Sequence, residues 1–328
     1  MALAPLLLAG IALLALGLGK YAVAPGDVVR VIIGRLTGHN PGVPEAITTV
    51  IWNIRLPRVL AGLFVGAALA AAGAAYQAMF RNPLVSPDIL GVSAGAALGA
   101  LLGIFLHWPV PAVQGLAFGG GLLAVSLVTL IAGRVRRHDP VLVLVLSGVA
   151  MAALLGAATS LLKILADPYT QLPTMTYWLL GGLSSVTRVD VHSAVPAIAI
   201  GLVPLVLLRW RINVLSLPDE EALALGMDVR RVRWVVVAAA TLMTAAAVSI
   251  SGTIGWVGLV VPHVARLLVG PDFRRLLPMS LMLGAGFIVG ADTLARTAAP
   301  LEIPLGILTA VIGAPFLLWL LARSRRAW

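Results

Sequence analysis

Residues 51–62 read IWNIRLPRVLAG and place two arginines, Arg55 and Arg58, directly before a run of 22 residues without a charged side chain, 59–80. A helix of about 20 apolar residues crosses a hydrocarbon core about 30 Å thick, so this run is long enough to span a membrane. The rest of the chain has the same character, since 60% of its residues are hydrophobic, 11% are charged and its mean hydropathy is +1.03. Soluble domains carry about 25% charged residues. The composition therefore indicates an integral membrane protein.

The charge-free runs predict ten transmembrane helices. These runs are 1–19, 59–80, 89–133, 140–162, 191–208, 234–265, 276–291 and 303–322. Two of them are too long for one crossing, and each contains a turn-forming segment, HWPVP at 107–111 and SISGTIG at 249–255. Each of these two runs is therefore divided into two spans. The expected fold is an all-α integral membrane protein with ten transmembrane helices, organised as a single domain over 1–328.

The distribution of arginine predicts the orientation of the bundle. The tail ARSRRAW at 322–328 places the C terminus in the cytosol, and an even number of spans puts the N terminus on the same side. Threading ten helices from there puts fifteen basic residues inside and eight outside, with Arg55 and Arg58 among the eight. The first run lacks a charged n-region and a cleavage site, so it is interpreted as a helix and not as a signal peptide. The net charge of +10 then faces anionic lipid, and no nucleic-acid partner is expected.

Two of the predicted spans carry glycines at four-residue intervals. These glycines are Gly62 and Gly66 in one span and Gly91, Gly95, Gly99 and Gly103 in the next. This spacing aligns them on one helical face, where neighbouring backbones can approach closely. We expect tight helix packing at both positions.

Two further segments are too short to cross the membrane. PGDVVRVIIGRL at 25–36 predicts an amphipathic surface helix that is capped by Asp27 and ends before Gly38. PTMTYWLLGGLSS at 173–185 is apolar and fits either a half-membrane helix, tolerated where protein or a water-filled cavity surrounds it, or a helix in an outer loop.

The longest cytosolic connection, 216–234, predicts two short helices joined at a glycine. Ser216 and Asp219 have the spacing of a capping box, Gly226 stands where a C-terminal stop belongs, and Asp228 can cap a second helix that continues into the next span. Such a helix pair forms a compact knob on the cytosolic face.

The sequence offers no energy source and no catalytic constellation. Its five histidines are scattered, it contains no cysteine, and no metal-ligand spacing occurs. Neither lysine, Lys20 or Lys163, completes an ATP-binding P-loop. The carboxylates fall near predicted helix ends, so no intramembrane proton relay is visible. We therefore expect a non-catalytic transporter that binds no cofactor or metal and receives its energy from a partner.

Several motifs together resemble the FecCD-type permeases, which are membrane subunits of ABC importers for iron–siderophores, haem and cobalamin. The motifs are RLPR at 55–58, QAMFRNPLVSPDILGVSAGAALG at 77–99, GTIGWVGLVVPHVARLLVG at 252–270, FRRLLP at 273–278, ADTLAR at 291–296 and PLGILTAVIGAPFLLWLL at 304–321. They cover nearly the whole chain after the first span, in the order and spacing of the family.

The resemblance implies a multi-pass subunit of the bacterial inner membrane that forms a homodimer around a central pathway. Two cytosolic ATPase subunits, which bind ATP and Mg, would act from inside, and a periplasmic substrate-binding protein would dock from outside. Both termini would be cytosolic.

The resemblance also assigns site residues. Coupling to the ATPases falls on the 216–231 region. Its residues are Asp219, Glu220, Glu221, Ala222, Leu223, Leu225, Gly226 and Arg230. Docking of the binding protein falls on Arg55, Arg58 and Arg296, whose guanidinium groups can bind carboxylates in a bidentate manner. The residues that line the pathway by analogy are Ser147, Met151, Thr174, Met175, Gly181, Gly182 and Thr309.

The cargo is left open by the sequence. An iron–siderophore is the first expectation, and haem, cobalamin or an oxyanion such as molybdate are the alternatives within the family. The alternative from another class is a secondary carrier or channel that acts alone.

Overall fold

The computed structural model describes residues 3–40, 42–135 and 140–323, and within these ranges the chain is helical and contains no β-strand. Its α-helices are α1 (Leu3–Gly17), α2 (Pro25–Thr37), α3 (Glu45–Thr49), α4 (Leu56–Phe80), α5 (Val92–Phe105), α6 (Val110–Arg134), α7 (Pro140–Leu165), α8 (Gln171–Leu180), α9 (Arg188–Leu207), α10 (Arg209–Val214), α11 (Asp219–Ala224), α12 (Val229–Ser251), α13 (Val257–Val269), α14 (Phe273–Thr297) and α15 (Leu305–Arg323). A π-helical turn, Val50–Arg55, joins α3 to α4, and a 3₁₀ turn, Pro87–Leu90, precedes α5. Arg136, Arg137 and most of the basic C-terminal tail lie outside the described residues.

Among the described residues, six helices are long and apolar enough to cross a membrane: α4 with the helical turns before it, α6, α7, α9, α12 and α14. Four shorter apolar helices, α1, α5, α13 and α15, coincide with the remaining predicted spans. Both predicted interruptions are confirmed, because α5 ends before α6 at Phe105 and α12 ends before α13 at Ser251. At 1.5 Å per residue α5 and α13 are only about 20 Å long, shorter than the hydrocarbon core of a bilayer.

Helix α4 lies at the centre of the bundle and packs against α9, α12, α13 and α14. Two glycines permit its closest approaches. A Cβ at Gly66 would overlap the carbonyl of Gly284 on α14, and a Cβ at Gly73 would overlap the carbonyl of Gly258 on α13. The close packing predicted at Gly66 is therefore confirmed, and its cause is backbone-to-backbone contact of two helices.

Helices α5 and α6 form a second close pair. Gly95 and Gly99 of α5 lie against the carbonyls of Gly120 and Leu116 on α6, at distances that exclude a Cβ. Gly91 differs from the expectation, because it ends the 3₁₀ turn with φ +81° and does not belong to the packing face. Its left-handed backbone requires glycine for conformational reasons.

The surface helix α2 is confirmed, but its predicted cap is wrong. The helix buries Val28, Val31 and Gly34 and ends at Gly38, whose φ is +74°. The N-cap is Ala24, which makes no side-chain cap, and Pro25 occupies the first turn. Asp27 lies inside the first turn, where its charge favours the helix N-terminus without capping it.

The predicted knob is formed by α11, Gly226 and the start of α12. Gly226 has φ +76°, and the Asp228 carboxylate accepts a hydrogen bond from the Arg231 amide at 2.9 Å, as the sequence predicts. The capping box at Ser216 is wrong. The N-cap of α11 is Pro218, and the Ser216 hydroxyl instead donates to the Asn213 carbonyl at 2.6 Å.

Replacement of Gly66 by alanine tests the contact between α4 and α14. The added methyl group would overlap the Gly284 carbonyl, so we expect a loss of about 1–3 kcal/mol of stability. The matched control is Gly115→Ala on α6, where a Cβ meets no atom within 4 Å and no loss is expected. Thermal unfolding of the detergent-solubilised protein measures both. Equal stability of the two variants would contradict the assignment.

Candidate functional site

Three arginines meet where α1 and α14 end and α4 begins. Arg55 Nη1 donates to the carbonyls of Leu16 and Gly17 at 2.7 and 2.8 Å. Arg296 Nη1 donates to the Leu18 carbonyl at 2.7 Å, and its Nη2 donates to the Ala15 carbonyl. The last carbonyls of a helix have no partner within the helix. Arg55 and Arg296 therefore close the C-terminal end of α1.

Arg58 binds two carboxylates from distant parts of the chain. Its Nε lies 2.9 and 2.8 Å from the two Asp292 carboxylate oxygens, and its Nη2 lies 2.7 Å from one of them. Nη2 also donates to the Glu302 carboxylate. Arg296 Nε lies 3.6 Å from Asp292. Three arginines and two carboxylates thus form one cluster, which we call the arginine cluster, with a net charge of +1.

The three arginines assigned to docking are buried within the subunit. Arg55, Arg58 and Arg296 are only 5%, 8% and 8% exposed. The physical reason is that Asp292, Glu302 and the end of α1 supply internal partners. The docking role of the three arginines remains a prediction.

A cavity of about 780 Å³, which we call the outer cavity, opens beside the arginine cluster, because Glu302 lines it. Its walls come from the turn between α5 and α6, from α8, from the end of α12 and from residues 301–305. Many of its lining side chains can form hydrogen bonds without carrying a fixed charge. They are His107, Gln114, Thr170, Gln171, Thr174, Ser184, Ser185, Ser249 and Ser251. Glu302 is the charged member of the described lining.

A second cavity of about 550 Å³, the inner cavity, lies beyond the outer one. It is lined by Asp88, Ser93, the end of α8, residues 253–256 and the first turns of α15. The Ser93 hydroxyl donates to the Asp88 carboxylate.

Three chain segments cross between the two cavities with their backbones in contact: 180–182, 251–253 and 305–306. A Cβ at Gly181 would lie 2.5 Å from the Thr253 carbonyl, and a Cβ at Gly306 would overlap the Leu180 carbonyl. The Gly182 amide donates to the Ser251 carbonyl at 2.8 Å, and the Leu305 amide donates to the Gly181 carbonyl at 3.0 Å. These bonds satisfy backbone groups at interrupted helices, which non-helical backbone at membrane depth requires. We call this layer the glycine crossing.

The structure separates the predicted pathway residues into three groups. Thr174, Gly181 and Gly182 line the outer cavity, and for them the pathway role remains a prediction. Met175 and Thr309 differ from the expectation, because both are fully buried.

Their packing explains that burial. Met175 packs with Leu101 and Ala166, and the Thr309 hydroxyl donates to the Gly306 carbonyl at 3.2 Å. Ser147 and Met151 are half-buried on α7 and line neither cavity.

The predicted coupling residues form an anchored surface at the other end of the bundle. Asp219 is held by both Nη atoms of Arg233 at 2.8 and 2.6 Å, and Arg81 lies 3.5 Å away. Ala222 is fully buried beneath the knob, whereas Leu223 and Leu225 are each 60% exposed. Glu220, Glu221, Gly226 and Arg230 are exposed around them. Leu223 on α11 and Leu225 just after it form an exposed apolar surface with a charged rim.

Comparison with known proteins gives consistent findings over nearly the whole chain. The family model described as the FecCD transport family matches residues 6–323. The cobalamin import permease BtuC of Halobacterium salinarum is 47% identical over 85% of this chain and 75% of its own length. An iron chelatin transport permease of Helicobacter pylori is 44% identical over 88% and 86%, and the molybdate import permease MolB of Haemophilus influenzae is 37% identical over 94% and 91%. A solved metal-chelate type ABC transporter in an inward-facing conformation superposes with a TM-score of 0.87 at 35% identity, over 98% of this chain and 97% of that one.

Replacement of Asp292 by asparagine tests the buried part of the arginine cluster. The change removes the carboxylate that binds Arg58 and leaves a buried guanidinium group without its main partner, so we expect a loss of about 3–5 kcal/mol of stability. Asp27→Asn is the matched control, because Asp27 forms an exposed pair with Arg30 at 3.3 Å and such pairs contribute about 0–1 kcal/mol. Denaturant unfolding in detergent measures the difference. Equal effects of the two substitutions would contradict the structural role of Asp292.

Proposed function

Because the chain belongs to the FecCD transport family, we propose that it is the membrane permease subunit of an ATP-driven importer of a bulky metal chelate. The observation that carries the proposal is the arrangement of its two ends. Helix α4 carries Arg58, beside the outer cavity, in its first turn and ends at Phe80, and the next residue, Arg81, contacts the knob. At 1.5 Å per residue α4 alone is about 37 Å long, more than the hydrocarbon core of about 30 Å. One end of the bundle thus offers a cavity for the cargo, and the other end offers an anchored surface for the ATPase subunits.

The proposed subunit crosses the bacterial inner membrane ten times, with both termini in the cytosol. The orientation is supported by the arginines that surround the knob end, where loops are expected to face the cytosol. These are Arg81, Arg209, Arg211, Arg230, Arg231, Arg233, Arg266, Arg274 and Arg275. The ten crossings are supported by the six long and four shorter apolar helices of the described chain.

Two copies of the chain enclose the proposed pathway. The inner cavity opens onto the surface of α15, where Val311 is 65% exposed, and α7 has a single buried residue, Gly148, among residues 141–165. A cavity that is open at one side of a subunit is completed when a second copy covers that side. The partner of this apolar face is therefore a second copy of the chain.

The native absence of cysteine makes the dimer directly testable. We expect Val311→Cys to form a covalent dimer with a short bifunctional maleimide, because residue 311 lies at the rim of the inner cavity. Leu7→Cys on α1 is the control, since Leu7 has the same 65% exposure and lies away from that cavity. Gel mobility of the purified membrane protein reports the product. Cross-linking at 7 but not at 311 would contradict the proposed interface.

Two ATPase subunits, which bind ATP and Mg, are proposed to seat on the knob. Leu223 and Leu225 would enter an apolar cleft, and Glu220, Glu221 and Arg230 would set the register at its rim. Movement of the ATPases would be transmitted because Asp219 and Ala222 fix the knob to the bundle.

The double substitution Leu223→Asp with Leu225→Asp tests this assignment. Placing two carboxylates in an apolar interface should reduce co-purification of the ATPase more than tenfold, while the permease itself folds normally. Leu36→Asp is the control, because Leu36 is 73% exposed on α2 and lies far from the knob. Affinity capture from membranes that contain both subunits measures the retained ATPase. Full retention by the double variant would contradict the coupling role.

The outer cavity supports a bulky, neutral chelate as the cargo. Its volume of about 780 Å³ exceeds the needs of a small oxyanion, and its lining is rich in hydroxyl and amide groups and carries a carboxylate. An iron–siderophore is the first proposal, with cobalamin and haem as further members of the same cargo class. Molybdate, which the relative from Haemophilus influenzae is named for, would be attracted by arginine or lysine, and the described lining of the outer cavity includes neither.

Reconstituted uptake tests the function as a whole. We propose that vesicles containing this chain and its ATPase accumulate a ferric siderophore only when ATP and the binding protein are both supplied. A secondary carrier or channel would instead transport the chelate with this chain alone. Uptake without ATP would therefore overturn the proposed function in favour of that class.

A further inference from the structure

Residues 298–304 form a non-helical strap between α14 and α15. Four of its residues, Leu301, Glu302, Ile303 and Pro304, line the outer cavity. Contacts with three residues outside the strap, Lys20, Ala295 and Arg58, hold it on the bundle. Lys20 Nζ donates to the Pro300 carbonyl at 2.6 Å, the Ile303 amide donates to the Ala295 carbonyl at 3.1 Å, and Glu302 pairs with Arg58. The strap is therefore a wall of the outer cavity, and within the described residues its one ion pair runs to the arginine cluster.

The two carboxylates on Arg58 are not equivalent. The Asp292 side chain is 3% exposed and accepts three of the five hydrogen bonds that Arg58 donates to the two carboxylates. The Glu302 side chain is 35% exposed. If Asp292 moved away, the buried Arg58 guanidinium would lose its main partner. If the Glu302 side chain moved away, its carboxylate oxygens would be solvated by water. Glu302 is thus the carboxylate that another carboxylate can replace, because an exchange conserves both the charge and the hydrogen bonds on Arg58.

We propose that Glu302 is an internal competitor for Arg58, and that a carboxylate of the docking binding protein replaces it and releases the strap from the outer cavity. The inference rests on the proposed function, because the incoming carboxylate belongs to the proposed periplasmic partner. Docking would then open the cavity wall through which the cargo is received. Movement of the strap would reach α15 directly, because the strap ends at Leu305, where α15 begins.

The exchange also explains how buried arginines serve in docking. With Glu302 on Arg58 the arginine cluster carries a net charge of +1, from three arginines, Asp292 and Glu302. When Glu302 leaves, the remaining cluster carries +2. An acidic partner is therefore attracted more strongly by the open form than by the closed form, which couples docking to release of the strap.

Glu302→Gln tests the competition by the sign of its effect. A residue that merely stabilised the docking surface would weaken docking when replaced. A competitor that occupies Arg58 for about nine-tenths of the time would, on removal, tighten docking about tenfold. Glu45→Gln is the matched control, because Glu45 is an exposed carboxylate on α3, beside the turn that carries Arg55, and its loss changes the net charge equally. Affinities are measured with the purified binding protein and the full-length permease in lipid nanodiscs.

The second readout does not involve the partner. A nitroxide on Leu301→Cys, in a chain without other cysteines, reports strap motion by electron paramagnetic resonance. We expect its mobility to rise at least twofold when Glu302→Gln is added and to stay unchanged with Glu45→Gln. If Glu302→Gln is not recovered folded, Glu302→Asp replaces it, since the shorter side chain retracts the carboxylate from Arg58.

The outcomes separate the two proposals. Tighter docking with a more mobile strap supports the exchange. If the wild type docks and Glu302→Gln leaves that affinity unchanged or weakens it, the exchange is overturned and the proposed function stands. The same conclusion follows if Glu302→Gln does not change the mobility of the strap. No binding of the cognate binding protein by the wild type overturns the docking assignment and the exchange together.

Discussion

The joint between α4 and α14 is the contact on which the rest of the structure depends. Gly66 and Gly284 allow the two backbones to touch, and Arg58 then reaches Asp292 at the same interface. A buried ion pair is favourable only when its geometry is good and its other polar atoms have hydrogen-bond partners. The close glycine contact supports the ion pair by holding the two helices at a fixed distance. Helix α14 also carries Arg296, which closes the end of α1. Helix α1 is thus attached to the bundle through α14, the helix that also packs against the central helix α4.

Interrupted helices give the bundle its cavities. Helices α5 and α13 are too short to cross a hydrocarbon core, and α12 and α15 end or begin where the glycine crossing lies. Backbone groups freed at such breaks must find partners inside the protein, and here Ser251 and Gly181 supply their carbonyls to neighbouring segments. Gly181, Gly252 and Gly306 allow the backbones to meet, and because they lack side chains they leave space on the outer-cavity and inner-cavity sides of the glycine crossing. The outer and inner cavities are therefore a consequence of how the broken helices are satisfied.

The proposed transport cycle needs movement at the cavity end to follow movement at the knob end. Helix α4 connects them as one uninterrupted element, with the arginine cluster at its start and Arg81 beside the knob just after its last residue. The knob is anchored by Asp219 on Arg233, and the strap is tethered by Glu302 on Arg58. Both attachments are ion pairs with a partly exposed carboxylate, whereas the centre of the bundle is packed through buried glycine contacts.

The sequence by itself determined the membrane environment, the position of ten apolar segments, both interruptions and the knob with its Gly226 stop and Asp228 cap. These features depend on composition and on interactions within a few residues. Local reasoning was wrong at Asp27 and Ser216, because Pro25 and Pro218 begin those helices without side-chain caps. Only the tertiary structure decided the site. The partners of Arg58 are 234 and 244 residues away, and Met175 faces the core because α8 turns that side towards α5. Pairing across such separations follows from how helices pack, which periodicity and charge counts along one chain do not encode.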